Sequence, residues 1–210
     1  MKKSIIIVAI VAAVVLFVMA KYNHIVSLDE SVKTAWSQVE NVYQRRMDLI
    51  PNLVNTVKGA AAQESGVLVA VVEARANASK VNVNINDPES FAAFQKAQGE
   101  ISSSLSRLLV TVEQYPELGS IQAFRDLMTQ LEGTENRITV ERKTFNETVK
   151  KLNIYIRQFP ANIVAMIFGF EQAQQFESQE WAEVAPTVDF NATDTTTPTV
   201  EVMPEEVVAE

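Results

Sequence analysis

The sequence predicts an all-α protein: an N-terminal transmembrane helix continuing into an elongated up-and-down helical bundle, followed by a disordered acidic C-terminal tail. Three observations carry this expectation. An apolar run fills residues 4–20, apolar residues then return every three or four positions through three long stretches, and no segment offers strong hairpin chemistry. The expected organisation is a transmembrane signal anchor at 1–24, a helical bundle at 25–180 and a tail at 181–210.

Between Lys2, Lys3 and Lys21, the run from Ser4 to Ala20 holds one serine and otherwise only apolar side chains. As a helix it covers about 26 Å, just short of a ~30 Å hydrocarbon core. Residues 22–26 can extend it into the headgroup layer, where Tyr22 suits an interfacial anchor. A cleaved secretory signal is the competing reading, because Val18 and Ala20 form a small-x-small pattern before Lys21. The anchor is favoured because the run exceeds the apolar core of about 7–15 residues that a signal uses, and no breaker follows it. The lipid bilayer is therefore the first expected partner. Lys2, Lys3 and the amino terminus before the span, against Lys21 and Lys33 after it, lean toward an outer-side bundle.

The formal charge of −8 is concentrated at one end. Glu183, Asp189, Asp194, Glu201, Glu205, Glu206 and Glu210 face no base between residues 182 and 210, and prolines and a threonine run break any periodicity there. That composition reads as disorder. No basic stripe marks a nucleic-acid surface. The chain has no cysteine, which excludes a lipidated cysteine anchor, disulfides, thiolate zinc sites and a cysteine nucleophile.

The first bundle helix is read from Ile25, Val32, Trp36, Val39, Tyr43, Met47, Ile50, Val54, Val57 and Ala61 onward to Leu68 and Val72 as one long amphipathic element. Pro51 removes the amide that would bond the Met47 carbonyl, so a kink without chain reversal is expected at residues 47–51. The asparagine-rich stretch 77–86 is a connecting loop. Asp87 is placed to cap, and Pro88 to open, a second helix reaching to about Tyr115 and burying Phe91, Phe94, Ile101, Leu105, Leu108, Leu109 and Val112. Pro116 ends it. The set Ile121, Phe124, Met128, Leu131, Ile138, Phe145, Val149, Leu152, Ile156 and Phe159 defines a third helix of about forty residues. Gly133 weakens its interior. Pro160 interrupts it, and residues 161–168 form a short, very apolar helix closed by Gly169.

Catalytic chemistry finds few groups. The sole histidine, His24, adjoins the span with Ser27 and Asp29 nearby, but an interfacial role suits it better than a triad. No Glu-x-x-His pair supports a bundle di-iron site, and no glycine-rich loop cradles phosphate. No cofactor is expected. The polar residues that stand out are Glu40, Arg45 and Arg46 on the first helix and Glu135, Asn136, Arg137 and Arg142 on the third. They form a candidate polar seam, which either binds something or, as is favoured, fixes helix register or simply lies on solvated faces. The apolar set Ile163, Met166, Ile167, Phe168 and Phe170 is a candidate partner patch. It can cap the bundle, dip into the bilayer surface or meet a partner, and the scarcity of flanking bases favours capping.

The runs YNHIVSLDESVKTAWSQVENVYQRRMDLIPNLVNTVKG at residues 22–59, LEGTENRITVER at 131–142 and FPANIVAMIFGF at 159–170 closely resemble the bacterial LemA family. The resemblance covers nearly all of residues 1–180. It implies a bacterial inner-membrane protein with a long-helix bundle related to the bromodomain-like four-helix arrangement, and no established enzymatic activity. It also implies an envelope partnership, since chromosomal neighbours of such proteins often include another membrane-attached domain protein and a membrane metalloprotease. The sequence departs from the family at Ala60, Gln63 and Glu64, where a Tyr and a His-Glu pair usually follow the VKG, which removes any role resting on that histidine. A second departure is Leu118-Gly119-Ser120 at the Tyr-Pro corner. The functional expectation is a non-enzymatic single-pass scaffold or docking surface for other membrane or envelope proteins, with a homo-oligomer allowed. The alternative is a membrane-tethered small-ligand or peptide sensor using the polar seam, and a carboxylate hydrolase is the least supported.

Overall fold

The computed structural model describes residues 2–58, 65–113 and 121–177. Within these residues the elements are α1 Lys2–Lys58, α2 Ser65–Ala78, α3 Pro88–Glu113, α4 Gln122–Arg157 and α5 Ala161–Phe168, with no strand among them. Ala60, Gln63 and Glu64, the corner at 118–120, and the tail at 181–210 lie outside the described residues.

The first part of α1 is long and apolar enough to cross a membrane, and none of that stretch is buried in the protein. Ile5, Ile10, Val15, Phe17 and Met19 all stand exposed. From Ile25 the same helix turns Val32, Trp36, Val39 and Tyr43 into a core, without a break between the two parts. Against it α4 runs antiparallel, because successive partners descend one helix as they climb the other: His24 meets Tyr155, Trp36 meets Phe145 and Arg46 meets Glu135. By the same test α3 is parallel to α1, with Phe91 near Trp36, Phe94 near Tyr43 and Ser102 on Arg46.

The expected single helix through Leu68 and Val72 is corrected. It stops at Lys58, and α2 returns antiparallel along α1, far enough for Arg75 to meet Met47. Leu68, Val71 and Ala74 pack with Ile50, Leu53 and Val57, whereas Val72 faces solvent. A helical apolar stripe keeps its phase whichever way the next helix runs, so periodicity alone cannot register a reversal. No reversal occurs at Pro51, where α1 continues. The Met47 carbonyl that Pro51 deprives of its amide accepts a hydrogen bond from Arg75 Nε at 2.9 Å. Thus α1, α2, α3 and α4 alternate in direction, as an up-and-down bundle requires.

Asp87 caps α3 as expected: its carboxylate accepts from the amides of Glu89 at 3.3 Å and Ser90 at 3.1 Å. The Ser90 amide, then the Ser90 hydroxyl, and last the Glu89 amide hold the Asp87 carboxyl below its ordinary pKa. Helix α4 spans 36 residues, somewhat short of the expected length, because it ends at Arg157. Two residues expected in the apolar faces are exposed: Leu109 at the edge of α3, and Phe159, which lies past the end of α4 and is 81% exposed. Gly169 closes α5 in the left-handed region with φ 73°, and its amide bonds the Ala165 carbonyl.

Residues 171–176 run extended along α4, an arrangement that sequence periodicity does not reveal. Asn153 both donates to the Ala173 carbonyl and accepts its amide, and Asn146 does the same for Phe176. The match is geometric: seven residues of helix rise about 10.5 Å, and three extended residues cover about 10 Å. Gln174 donates from its backbone to Ile85, so this segment also ties down the loop before α3. Phe176 thereby enters the aromatic cluster of Trp36, Phe91, Phe94 and Phe145.

Candidate functional site

The apolar interior forms two clusters. One holds Ile25 to Tyr43 of α1 with Phe94 and Ile138; the other begins at Met47 with Ala97 and Leu131. Arg46 sits where they meet. Its position follows from the α1 stripe, since it lies three residues after Tyr43 and four before Ile50, and only 1% of it is exposed.

Such a buried guanidinium needs partners on every side. Its Nη1 donates to Glu135 at 2.7 Å and to Ser102 Oγ at 2.9 Å; its Nη2 donates to the Gln98 carbonyl at 3.2 Å and to Gln98 Oε1. Its guanidinium carbon lies 5.0 Å from the Tyr43 ring centroid, within cation–π range. Only Nε lacks a hydrogen-bond partner. Three helices, α1, α3 and α4, are therefore joined through one side chain. Burial pushes the Tyr43 phenol above its ordinary pKa, partly offset by the positive charges of Arg142 and Arg46.

Of the sequence-derived polar seam, the structure brings Arg46 and Glu135 into contact. Arg142 stands over Phe176, its guanidinium carbon 4.6 Å from the ring centroid. Arg45 and Arg137 instead line a separate recess of 280 Å³ with Gln130, Gly133 and Thr134. Glu40 and Asn136 are exposed. Gln98 and Ser102 were not among the expected residues. Gln98 had a legible signal: it occupies an apolar-stripe position, four residues after Phe94 and three before Ile101, and such a polar intruder implies a buried partner.

Ser102 and Glu135 also line a largely apolar groove of 320 Å³ with Leu53, Leu105, Leu109, Met128 and Leu131. The opposite end of the bundle, near Tyr22, carries the other candidate surface. In α5, Ala161, Val164 and Ala165 are buried and cap the bundle, while Ile163, Met166, Ile167 and Phe168 are exposed, Met166 by 77%. Phe170 is half-buried against the core. Phe168 and Phe170 place their rings 4.7 and 5.7 Å from that of Tyr22. Among the described residues no group of three or more His, Asp or Glu side chains could hold a metal ion.

The family model described as the LemA family matches residues 35–190. The chain belongs to the LemA family. It is similar to the magnetosome proteins MamQ 1 and MamQ 2 of Paramagnetospirillum magneticum, each 27% identical over 188 residues, which cover 80% of this chain and 69% of the relative. Magnetosome protein MamQ of Magnetospirillum gryphiswaldense is 28% identical over 178 residues, covering 76% and 65%. The family match begins at Ala35, inside the core part of α1, and takes in the Arg46 cross-tie and all of α2 to α5. With the apolar start of α1, family membership describes a membrane-associated helical protein.

Proposed function

We propose that this LemA-family chain is a non-enzymatic, single-pass scaffold that presents its bundle to other membrane or envelope proteins outside the bacterial inner membrane. The observation that carries the reading is the continuity of α1 from Lys2 to Lys58. One helix supplies both the apolar run and the central stave of the core, so the bundle is rigidly coupled to the span, as a docking platform needs. The groove bounded by Leu53, Leu109 and Met128 is the docking face for a protein partner or a second copy. It lies about 46 Å along α1 from Tyr22, clear of the bilayer.

A photocrosslinker at Leu109, exposed at the groove, should trap discrete adducts in intact cells, whereas one at the exposed Val140 should not. Recovery of uncrosslinked monomer alone from both positions would overturn the scaffold reading.

A second reading, a small-ligand or peptide sensor, is favoured by one observation. Ser102 and Glu135 hold Arg46 and line the groove at once, so an occupant there would compete for a buried cation with an unused donor. In that case Glu135→Gln abolishes a ligand-induced rise in melting temperature, over and above the lowering of the free chain's own melting that follows from losing the charged partner of Arg46. An undiminished ligand-induced rise in the variant assigns Glu135 to structure alone.

A further inference from the structure

We propose that α5 is a second membrane-contacting element, seated in the lipid interface of the same bilayer that residues 4–20 cross. The inference rests on the reading of that run as a membrane span, and extends it to a part of the chain some 140 residues downstream.

Height fixes the argument. Tyr22 lies two residues beyond Ala20, about 3 Å along a helix axis, so whatever touches it stands at the membrane boundary. Phe168 does so, with ring centroids 4.7 Å apart. Val18, in the last turn of the apolar run, already packs against the bundle. The bundle's base therefore overlaps the end of the span. At that base Phe159, Ile163, Met166, Ile167 and Phe168 are all exposed. An apolar cluster at this level has lipid beside it, whereas one at the far end of α1 would not.

Charge selects lipid over a protein occupant. Residues 148–170 contain no acid, and Lys150, Lys151 and Arg157 lead into α5 along α4. The fold adds Lys21, whose ammonium lies 5.5 Å from the Phe17 ring centroid and 5.7 Å from that of Tyr155. Sequence order alone separates Lys21 from this group, so the flanking bases looked too few. The nearest acid along the chain is Glu171, past the Gly169 cap. A basic, acid-free stretch leading into an exposed apolar helix is the pattern of an interfacial element, which settles about 5–10 Å into the headgroup boundary. Such seating also answers the shortness of the run, about 26 Å against ~30 Å, by drawing the base of the bundle into the interface.

The chain has no cysteine, so single probes can be placed cleanly. The full chain carrying Val11→Cys, Met166→Cys or Thr129→Cys, each labelled with an environment-sensitive fluorophore, is reconstituted into phosphatidylethanolamine–phosphatidylglycerol vesicles containing nitroxide lipids. The Met166 probe should shift to shorter wavelength and lose intensity to a shallow nitroxide, the Val11 probe to a deep one, and the Thr129 probe to neither. Ile163→Cys should reproduce the Met166 result. If the Met166 and Ile163 probes behave like Thr129 while Val11 is quenched, the α5 proposal fails and the span stands. If Val11 is unquenched, the span reading fails and takes the proposal with it. Probes on α5 that are watery in pure lipid yet shielded in native membranes would assign the patch to a protein, which also overturns it.

Discussion

Arg46 shows how one buried charge is distributed among unequal partners. The guanidinium is enclosed, but the Glu135 side chain is 43% exposed, so the two ends of the pair have different alternatives when separated. Removing Glu135 strands a buried cation on neutral acceptors; removing Arg46 releases a carboxylate that water can solvate. Glu135→Ala should therefore cost about 2 kcal/mol, discounted for the exposure of the carboxylate, and Arg46→Met clearly less. Chemical denaturation of both variants checks the order, and an Arg46→Met loss exceeding that of Glu135→Ala would refute this account. Tyr43, beside Arg46, gives a pH test. Burial raises its folded pKa above the ordinary value of 10.0, so its contribution is present below that pH and is lost as pH rises through the higher folded value. Tyr43→Phe should flatten the alkaline limb of stability without changing the neutral plateau, as followed by thermal melts across pH.

At the scale of elements, the pairing of α1 with α2 turns on a defect. Pro51 leaves the Met47 carbonyl without its helical amide, and Arg75 fills that place from α2. Arg75→Ala should cost about 1–2 kcal/mol by leaving a partly buried acceptor unmet. In a Pro51→Ala background the carbonyl regains its own amide, so the same Arg75 change should cost clearly less. Equal costs in the two backgrounds, measured by a double-mutant cycle, would show that Arg75 does not act through that carbonyl. The extended segment 171–176 is held by a comparable device, two asparagines two helical turns apart whose amides take the place of a neighbouring strand. Neither device follows from hydrophobic periodicity, which reports faces and not backbone acceptors.

For the whole molecule, the apolar run and the bundle share a helix, and α5 meets that helix at Tyr22, two residues past the run. Cleavage after Ala20 would remove Val18 from that packing and leave Lys21 and Tyr22 at a fraying terminus. The membrane-extracted protein should accordingly retain residues 4–20 when its N-terminus is sequenced, and a start at Lys21 would contradict the anchor.

The helical class, the apolar run, the Asp87–Pro88 start of α3, the Gly169 stop of α5 and most of the core are legible from residue order alone. Each depends on local chemistry or on a 3.6-residue repeat, both written along the chain. Arg46 and Glu135 were legible as unusual polar residues, and Gln98 could have been read as one. Packing in three dimensions adds that α2 doubles back, that Arg75 serves Met47, that Arg45 and Arg137 line a recess apart from the Arg46 site, and that Lys21 lies over Tyr155. These facts depend on direction and height between helices, and a periodic stripe is the same for a partner running up or down.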